Sequence, residues 1–292
     1  MSTRLTGRRS FLQLAGLSLA AAGCSGGAMD YRHQSLRHYT ELDAEDKKRL
    51  IERIEAETLA RTGVRVTVAD PRPRQGVRFA FALDLSSCNG SRRCVEACAR
   101  ENNLSTNPTI RYIRVLDLPR GSLSLEHARE AYEGKVRAPG RQYFPVQCQQ
   151  CEDPPCVKVC PCGATWKEPD GLVVVDYEWC IGCRYCTVAC PYDARRFNFN
   201  EPQVAPDRIN PEQALLSNRL RPTGVVEKCT FCLQRTRRGL YPACLEACPT
   251  GARKFGDLND PASEIRQILA TQSVFVLEEH LGTIPRFFYY FG

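Results

Sequence analysis

Fifteen of the 17 cysteines in this 292-residue chain fall into four tight groups, and their spacing carries its strongest chemical signal. The third group reads CIGCRYCTVACP, placing Cys180, Cys183, Cys186 and Cys190 in the pattern C-x2-C-x2-C-x3-C ahead of Pro191. The second group is Cys148, Cys151, Cys156 and Cys160, followed by Pro161; the fourth is Cys229, Cys232, Cys244 and Cys248, followed by Pro249. The first, CNGSRRCVEAC, keeps Cys88, Cys94 and Cys98 but has Ser91 where the third group has its second cysteine. Short C-x2-C steps in a tight loop set three thiolates around one cubane cluster. The fourth cysteine, three residues on and opening a short helix, faces away and ligates a second cluster. Such motifs therefore work in pairs, and four groups predict four iron-sulfur clusters.

Other uses of cysteine fit less well. Zinc ribbons also contain C-x2-C pairs, but four ligands per metal leave a third and fourth cysteine before proline without a role. A disulfide framework suits a short secreted chain, whereas this one is long enough to bury a core and bunches its cysteines. The four histidines, His33, His38, His127 and His280, never follow a C-x2-C pair, so covalent haem attachment is excluded and mixed zinc sites are disfavoured. No Gly-rich nucleotide loop and no nucleophile-base constellation stands out, so the chain is read as non-catalytic.

The elements that must position these groups are partly visible. Residues 76–85, GVRFAFALDL, alternate like a half-buried strand running into Cys88, and TIRYIRVLDL is a second strand-like run within a ligand-free stretch. Thr40, with Asp43 three residues on, resembles a helix N-cap. Leu50, Ile51 and Ile54 form one apolar stripe, and Gly63 is a natural stop. That helix either docks a partner subunit or packs on its own domain. An internal repeat ties the groups together: CPCGATW, CPYDARRF and CPTGARKF each carry Pro after the last cysteine and Ala four residues after it.

The N-terminus has a basic start, an apolar run from Phe11 to Ala22 and then small residues, too short to span a bilayer. Its RRSFLQ resembles the twin-arginine export signal, and Ala21-Ala22-Gly23-Cys24 resembles a bacterial lipobox with Cys24 as the acylated residue. Cleavage nearby by an ordinary signal peptidase is the alternative for Cys24. Residues 1–23 are thus expected to be a signal peptide, and the mature protein to lie on the periplasmic side of a bacterial membrane, tethered by lipid. The formal charge of +7 does not advertise nucleic acid, because Arg4, Arg8 and Arg9 leave with the signal and negatively charged clusters offset the remainder.

From about Gly76 to the C-terminus the chain resembles the four-cluster iron-sulfur subunits of complex iron-sulfur molybdopterin oxidoreductases. These are of the DMSO, polysulfide and tetrathionate reductase and formate dehydrogenase type, with cousins in hydrogenase and quinone-reductase complexes. Groups two to four carry the resemblance, with DGLVVVDYEWCIGCRYCTVACPYDARRF and the late LGTIPRFFYY. It implies an α+β fold of two pseudo-symmetric ferredoxin-like dicluster modules with insertions. One module combines residues 76–100 and 224–256, and the other spans 145–200. Residues 101–144 form an insertion, 257–292 a C-terminal tail, and 24–75 an N-terminal extension with one amphipathic helix.

The resemblance also implies ligand sets. One cluster takes Cys148, Cys151, Cys156 and Cys190, its neighbour Cys160, Cys180, Cys183 and Cys186, and a third Cys98, Cys229, Cys232 and Cys244. The fourth has Cys88, Cys94 and Cys248, with Ser91 at the remaining corner. A cube corner without a thiolate tends to lose its iron, which leaves a [3Fe-4S] centre, as in family members lacking a ligand. An alkoxide from Ser91 completing a [4Fe-4S] cube, or a degenerate site, are the alternatives. Cys162 replaces Thr250 of the sister repeat and is read as a packed thiol. The implied partners are a molybdopterin-type catalytic subunit and a quinone-linked membrane subunit or cytochrome; a hydrogenase partner or a free periplasmic carrier are the rivals.

Overall fold

The computed structural model describes residues 38–125, 128–130, 134 and 136–292. The export signal and Cys24 fall outside them. From the N-terminus the elements are helix α1 (Ala44–Thr62), strands β1 (Thr67–Ala69) and β2 (Phe79–Asp84), helix α2 (Arg93–Glu101), and strands β3 (Arg114–Pro119) and β4 (Arg141–Val146). Then come α3 (Pro155–Lys158), β5 (Thr165–Lys167), β6 (Val173–Val175), α4 (Tyr185–Val188), β7 (Arg195–Phe197), β8 (Glu212–Ala214) and β9 (Val226–Lys228). The last are α5 (Leu233–Thr236), α6 (Ala243–Glu246), β10 (Arg253–Asp257), α7 (Glu264–Thr271), β11 (Val274–Phe275) and β12 (Phe287–Tyr290). Apart from α1, strands and helices are short, as expected where chain is repeatedly diverted into ligand loops.

Helix α1 stops at Gly63, which adopts φ 72° and donates its N–H to Leu59. Its cap is Asp43, whose carboxylate accepts from the Asp46 N–H at 2.8 Å. Thr40 does not cap it, because residues Tyr39–Glu41 form a separate 3-10 turn pinned where the Tyr39 N–H donates to Asp176 at 3.0 Å. The stripe of Leu50, Ile51 and Ile54 packs with Val66, Val68, Ile209, Leu215 and Leu220, so the helix covers its own domain. Arg53 reinforces this with a 2.6 Å ion pair to Glu178.

The main sheet runs β10-β2-β12-β11. Strand β2 is buried at all six positions, not at alternate ones. The reason is that β10 and β12 flank it, the ring cluster of Phe81, Phe231, Phe255 and Phe287 covers one face, and Ile265 and Ile268 of α7 cover the other. The tail beyond residue 257 is thus structural, since β12 adds to β2 in parallel. Strands β3 and β4 form an antiparallel pair, in register from Arg114 with Val146 to Pro119 with Arg141. Two small sheets remain near the cysteines: β5 with β6, and β7 with β9. Helix α2 packs on α6, and α3 on α4, joining group one to group four and group two to group three. Among the described residues no helix is long and apolar enough to cross a membrane.

One buried ion pair locks the ligand-bearing segments. Arg221 and Glu227 meet at 2.9 Å with both side chains sealed from solvent. Glu227 also accepts from Tyr112 Oη and Asn198 Nδ2, each at 2.6 Å. Arg221 in turn donates at 2.6 Å to the carbonyls of Asn102 and Asn103, at the end of α2. The pair thereby fixes the chain just after Cys98 against the chain just before Cys229. Breaking a buried pair by neutralising one partner strands the other charge. Glu227→Gln is therefore expected to cost about 3–5 kcal/mol, read as a lower guanidinium midpoint of the iron-loaded protein; a change below about 1 kcal/mol would contradict this role.

Candidate metal centre

The three C-x2-C steps and the Cys88-x2-Ser91 step are each shaped by a positive φ just before their second position: Gly182 at 70°, Gln150 at 46°, Phe231 at 54° and Gly90 at 73°. Such left-handed turns aim successive N–H groups to one side, forming an anion-binding concavity. At Gly182 an added Cβ would lie 2.2 Å from the Gly224 carbonyl, and at Gly90 it would lie 2.5 Å from the Tyr143 ring. Glycine is thus required twice over at both. The residue after Ser91, Arg92, and its counterpart Arg184 also share positive φ, 58° and 62°. The first loop therefore follows the path of the third even though a hydroxyl replaces a thiol.

Cys88, Ser91, Cys94 and Cys248 line one pocket, shared with Arg253. Cys148, Cys151, Cys156 and Cys190 line another, beside Tyr192 and Arg195. Cys98, Cys229, Cys232 and Cys244 are all buried in the main core, and Asn102 Nδ2 bridges Cys98 Sγ at 3.6 Å and Cys232 Sγ at 3.7 Å. In the remaining set Cys180 neighbours Cys186, and the Cys160–Cys162 segment is tied to Trp179, whose Nε1 donates to the Cys162 carbonyl at 2.7 Å. Cys162 Sγ lies 3.9 Å from Cys160 Sγ, much as Thr250 Oγ1 lies 3.7 Å from Cys248 Sγ, in keeping with a packing role.

The donor chemistry fits iron-sulfur clusters. All 16 described cysteines are free of disulfides. Among the described residues no three His, Cys, Asp or Glu side chains converge on a single-ion point. The cysteines instead surround cavities, as a cube with iron at its corners requires. Sequence reasoning missed four polar side chains at these walls: Asn102, Gln147, Arg195 and Arg253. The two arginines were signalled by the repeat, since ARR and ARK put Arg five residues beyond the last cysteine in both copies.

The set of Cys160, Cys180, Cys183 and Cys186 lies closest to solvent. Cys183 is exposed, and the surrounding chain also exposes Ile181 and Val188, at 66% and 87%, together with Tyr185 and Phe199. Arg184 sits over the Phe197 and Phe199 rings at 5.4 and 5.6 Å. Apolar surface of this kind beside a ligand loop marks a place for contact with another molecule.

Burial pushes the metal-free thiols up, Cys88 and Cys244 to about 11 and Cys151 and Cys229 to about 12. At Cys248 burial also acts upward, but hydrogen bonds from the Thr250 N–H and hydroxyl outweigh it and hold that thiol below its usual value. Most cages are thus protonated near neutrality, and each thiolate formed on iron uptake releases a proton. Iron retention against a chelator should fall steadily as pH drops from 9 to 6. Retention that does not vary over that range would contradict thiolate ligation in these buried cages.

Residues 140–206 and 216–258 match the family described as 4Fe-4S dicluster domain. The chain is 34% identical over 301 residues to a subunit of selenate reductase from Mesobacillus selenatarsenatis, covering 98% of both proteins. It is 35% identical over 239 residues to the arsenate respiratory reductase iron-sulfur subunit of a Shewanella species, covering 73% of this chain and 96% of that one. It is also 35% identical over 242 residues to the iron-sulfur cluster-binding subunit of menaquinone reductase from Nitratidesulfovibrio vulgaris, covering 73% and 88%. Mixed helix and strand, thiol-lined cavities and these relatives agree. The chain belongs to the family of iron-sulfur subunits of complex iron-sulfur molybdopterin oxidoreductases, electron-transfer proteins and not catalytic ones.

Proposed function

We propose that this protein is a four-cluster wire, passing single electrons between a molybdopterin-type catalytic subunit and a quinone-linked membrane subunit or cytochrome. Each bound cluster supplies one-electron redox chemistry, and the chain supplies placement, burial and hydrogen bonds to sulfur. The observation that carries this reading is the crossing of the last cysteines. The cavity walled by Cys148, Cys151 and Cys156 draws Cys190 from the next group, and the one walled by Cys88 and Cys94 draws Cys248 from the last. Such crossing is what paired clusters demand.

In this reading Cys148, Cys151, Cys156 and Cys190 hold one [4Fe-4S] cluster and Cys160, Cys180, Cys183 and Cys186 its neighbour. Cys98, Cys229, Cys232 and Cys244 hold a third. Residues 76–100 and 224–256 form one dicluster module, supported by the pairing of β2 with β10 and of α2 with α6; residues 145–200 form the other. The β7–β9 pair links the two. The exposed apolar chain around Cys183 supports a subunit over a free carrier. Export by the twin-arginine route to the periplasmic side and an acyl anchor on Cys24 rest on the N-terminal motif.

Cys88, Cys94 and Cys248 hold a [3Fe-4S] centre, because the Ser91 corner offers a harder and less readily ionised ligand than thiolate. The loop around Ser91 keeps the turn of the four-cysteine third group, which disfavours a degenerate site. Electron paramagnetic resonance and iron counting on anaerobically purified protein test this. The expected result is a signal in the oxidised protein that disappears on mild reduction, with iron one short of four full cubes. Ser91→Cys should add that iron and abolish the oxidised signal. An oxidised protein that is silent and holds four complete cubes would contradict a three-iron centre.

A further inference from the structure

Four positions lie five residues beyond the last cysteine of a group. They hold Asn103, Thr165, Arg195 and Arg253, one arginine and one neutral residue for each proposed pair of clusters. Both arginines are 3% exposed, and neither has a carboxylate partner among the described residues. Arg195 Nη2 donates at 2.9 Å to Cys156 Sγ and to Thr165 Oγ1, while Nε and Nη1 have no protein acceptor. Arg253 Nη1 donates to Gln147 Oε1 at 2.7 Å and lies 3.8 Å from Cys244 Sγ, while Nη2 has none.

Burying an unpaired guanidinium is strongly unfavourable, so an anion must lie within reach of each. Arg253 lines the pocket of Cys88, Cys94 and Cys248 and approaches Cys244 of the neighbouring set, while Arg195 lines the pocket of Cys148, Cys151, Cys156 and Cys190 and is bonded to Thr165, on the strand that follows Cys160 of its neighbour. No second arginine occupies the sister position, where the Thr165 hydroxyl accepts from Arg195 and donates to the Val174 carbonyl.

We propose that Arg195 and Arg253 are the shared counter-charges of the two cluster pairs, each directing N–H groups at both centres of its pair and raising both reduction potentials together. An added electron makes a cluster more negative, and a fixed cation in a low-dielectric interior favours that state. The inference rests on the four-cluster reading above.

Redox titration followed by electron paramagnetic resonance, with iron counted on each sample, tests it on the iron-loaded protein. Arg195→Gln should shift both centres of the Cys148–Cys190 pair toward the oxidised form by tenfold or more, 59 mV for a one-electron couple, and leave the other pair unmoved. Arg253→Gln should do the reverse. Arg195→Lys and Arg253→Lys should give smaller falls, because a single ammonium keeps the charge but cannot direct donors at two centres. Full iron with unmoved potentials, or equal shifts in all four centres, would overturn the proposal. If a Gln variant binds less iron, its Lys counterpart decides: a fall confined to its own pair supports the role, and none refutes it. Too little iron in the unaltered protein for paired centres would sink the four-cluster reading and this inference together, whereas full iron with unmoved potentials sinks the inference alone.

Discussion

The whole structure answers one constraint: thiolates around iron are negative charges, and they must be held in an interior that solvates charge poorly. Desolvation alone drives these thiols toward protonation, as the raised values of Cys88, Cys151, Cys229 and Cys244 show. Left-handed turns at Gly90, Gly182, Gln150 and Phe231 turn amides toward the ligand loops, and Arg195 and Arg253 bring buried positive charge. The buried carboxylates nearby have partners of their own: Glu227 pairs with Arg221, Glu168 and Asp170 with Arg237, Asp84 accepts from the Ser86 and Ser87 hydroxyls, and Asp176 accepts from the Tyr39 N–H. Negative charge is thus kept off the cages except where iron can balance it.

The metal chemistry was legible in the sequence because thiol spacing is local and rigid. A C-x2-C step sets its own loop, and the third group's pattern has few uses besides a cubane cluster. Helix α1 was legible for the same reason, its stripe and its Gly63 stop being encoded within one short segment. The misreadings concern contacts made far along the chain. Strand β2 alternates in chemistry, but it is buried on both faces because α7 and β12 arrive from the C-terminal tail. The cap moved from Thr40 to Asp43 because Tyr39 is pinned to Asp176, a partner 137 residues away. The arginines could have been found from the repeat, but only once the cavities give that position a meaning.

Ser91 shows how little of a ligand loop depends on the ligand itself. Gly90 is held by the Tyr143 ring, the Ser91 N–H donates to Asn89 Oδ1 at 3.1 Å, and Arg92 caps its own turn by donating to the Gly90 carbonyl at 3.0 Å. These contacts preserve the path that Gly182 and Arg184 follow in the intact loop. A change from thiol to hydroxyl can therefore alter one centre's composition and potential without disturbing the scaffold.

The most direct test of the account is anomalous diffraction at the iron absorption edge from crystals of anaerobically purified protein. Four compact iron peaks are predicted, one in each thiol-lined site, with Cys98, Cys160, Cys190 and Cys248 each reaching across to a site formed by another group. Anomalous signal at the zinc edge instead, or iron held only by cysteines of a single group, would contradict it.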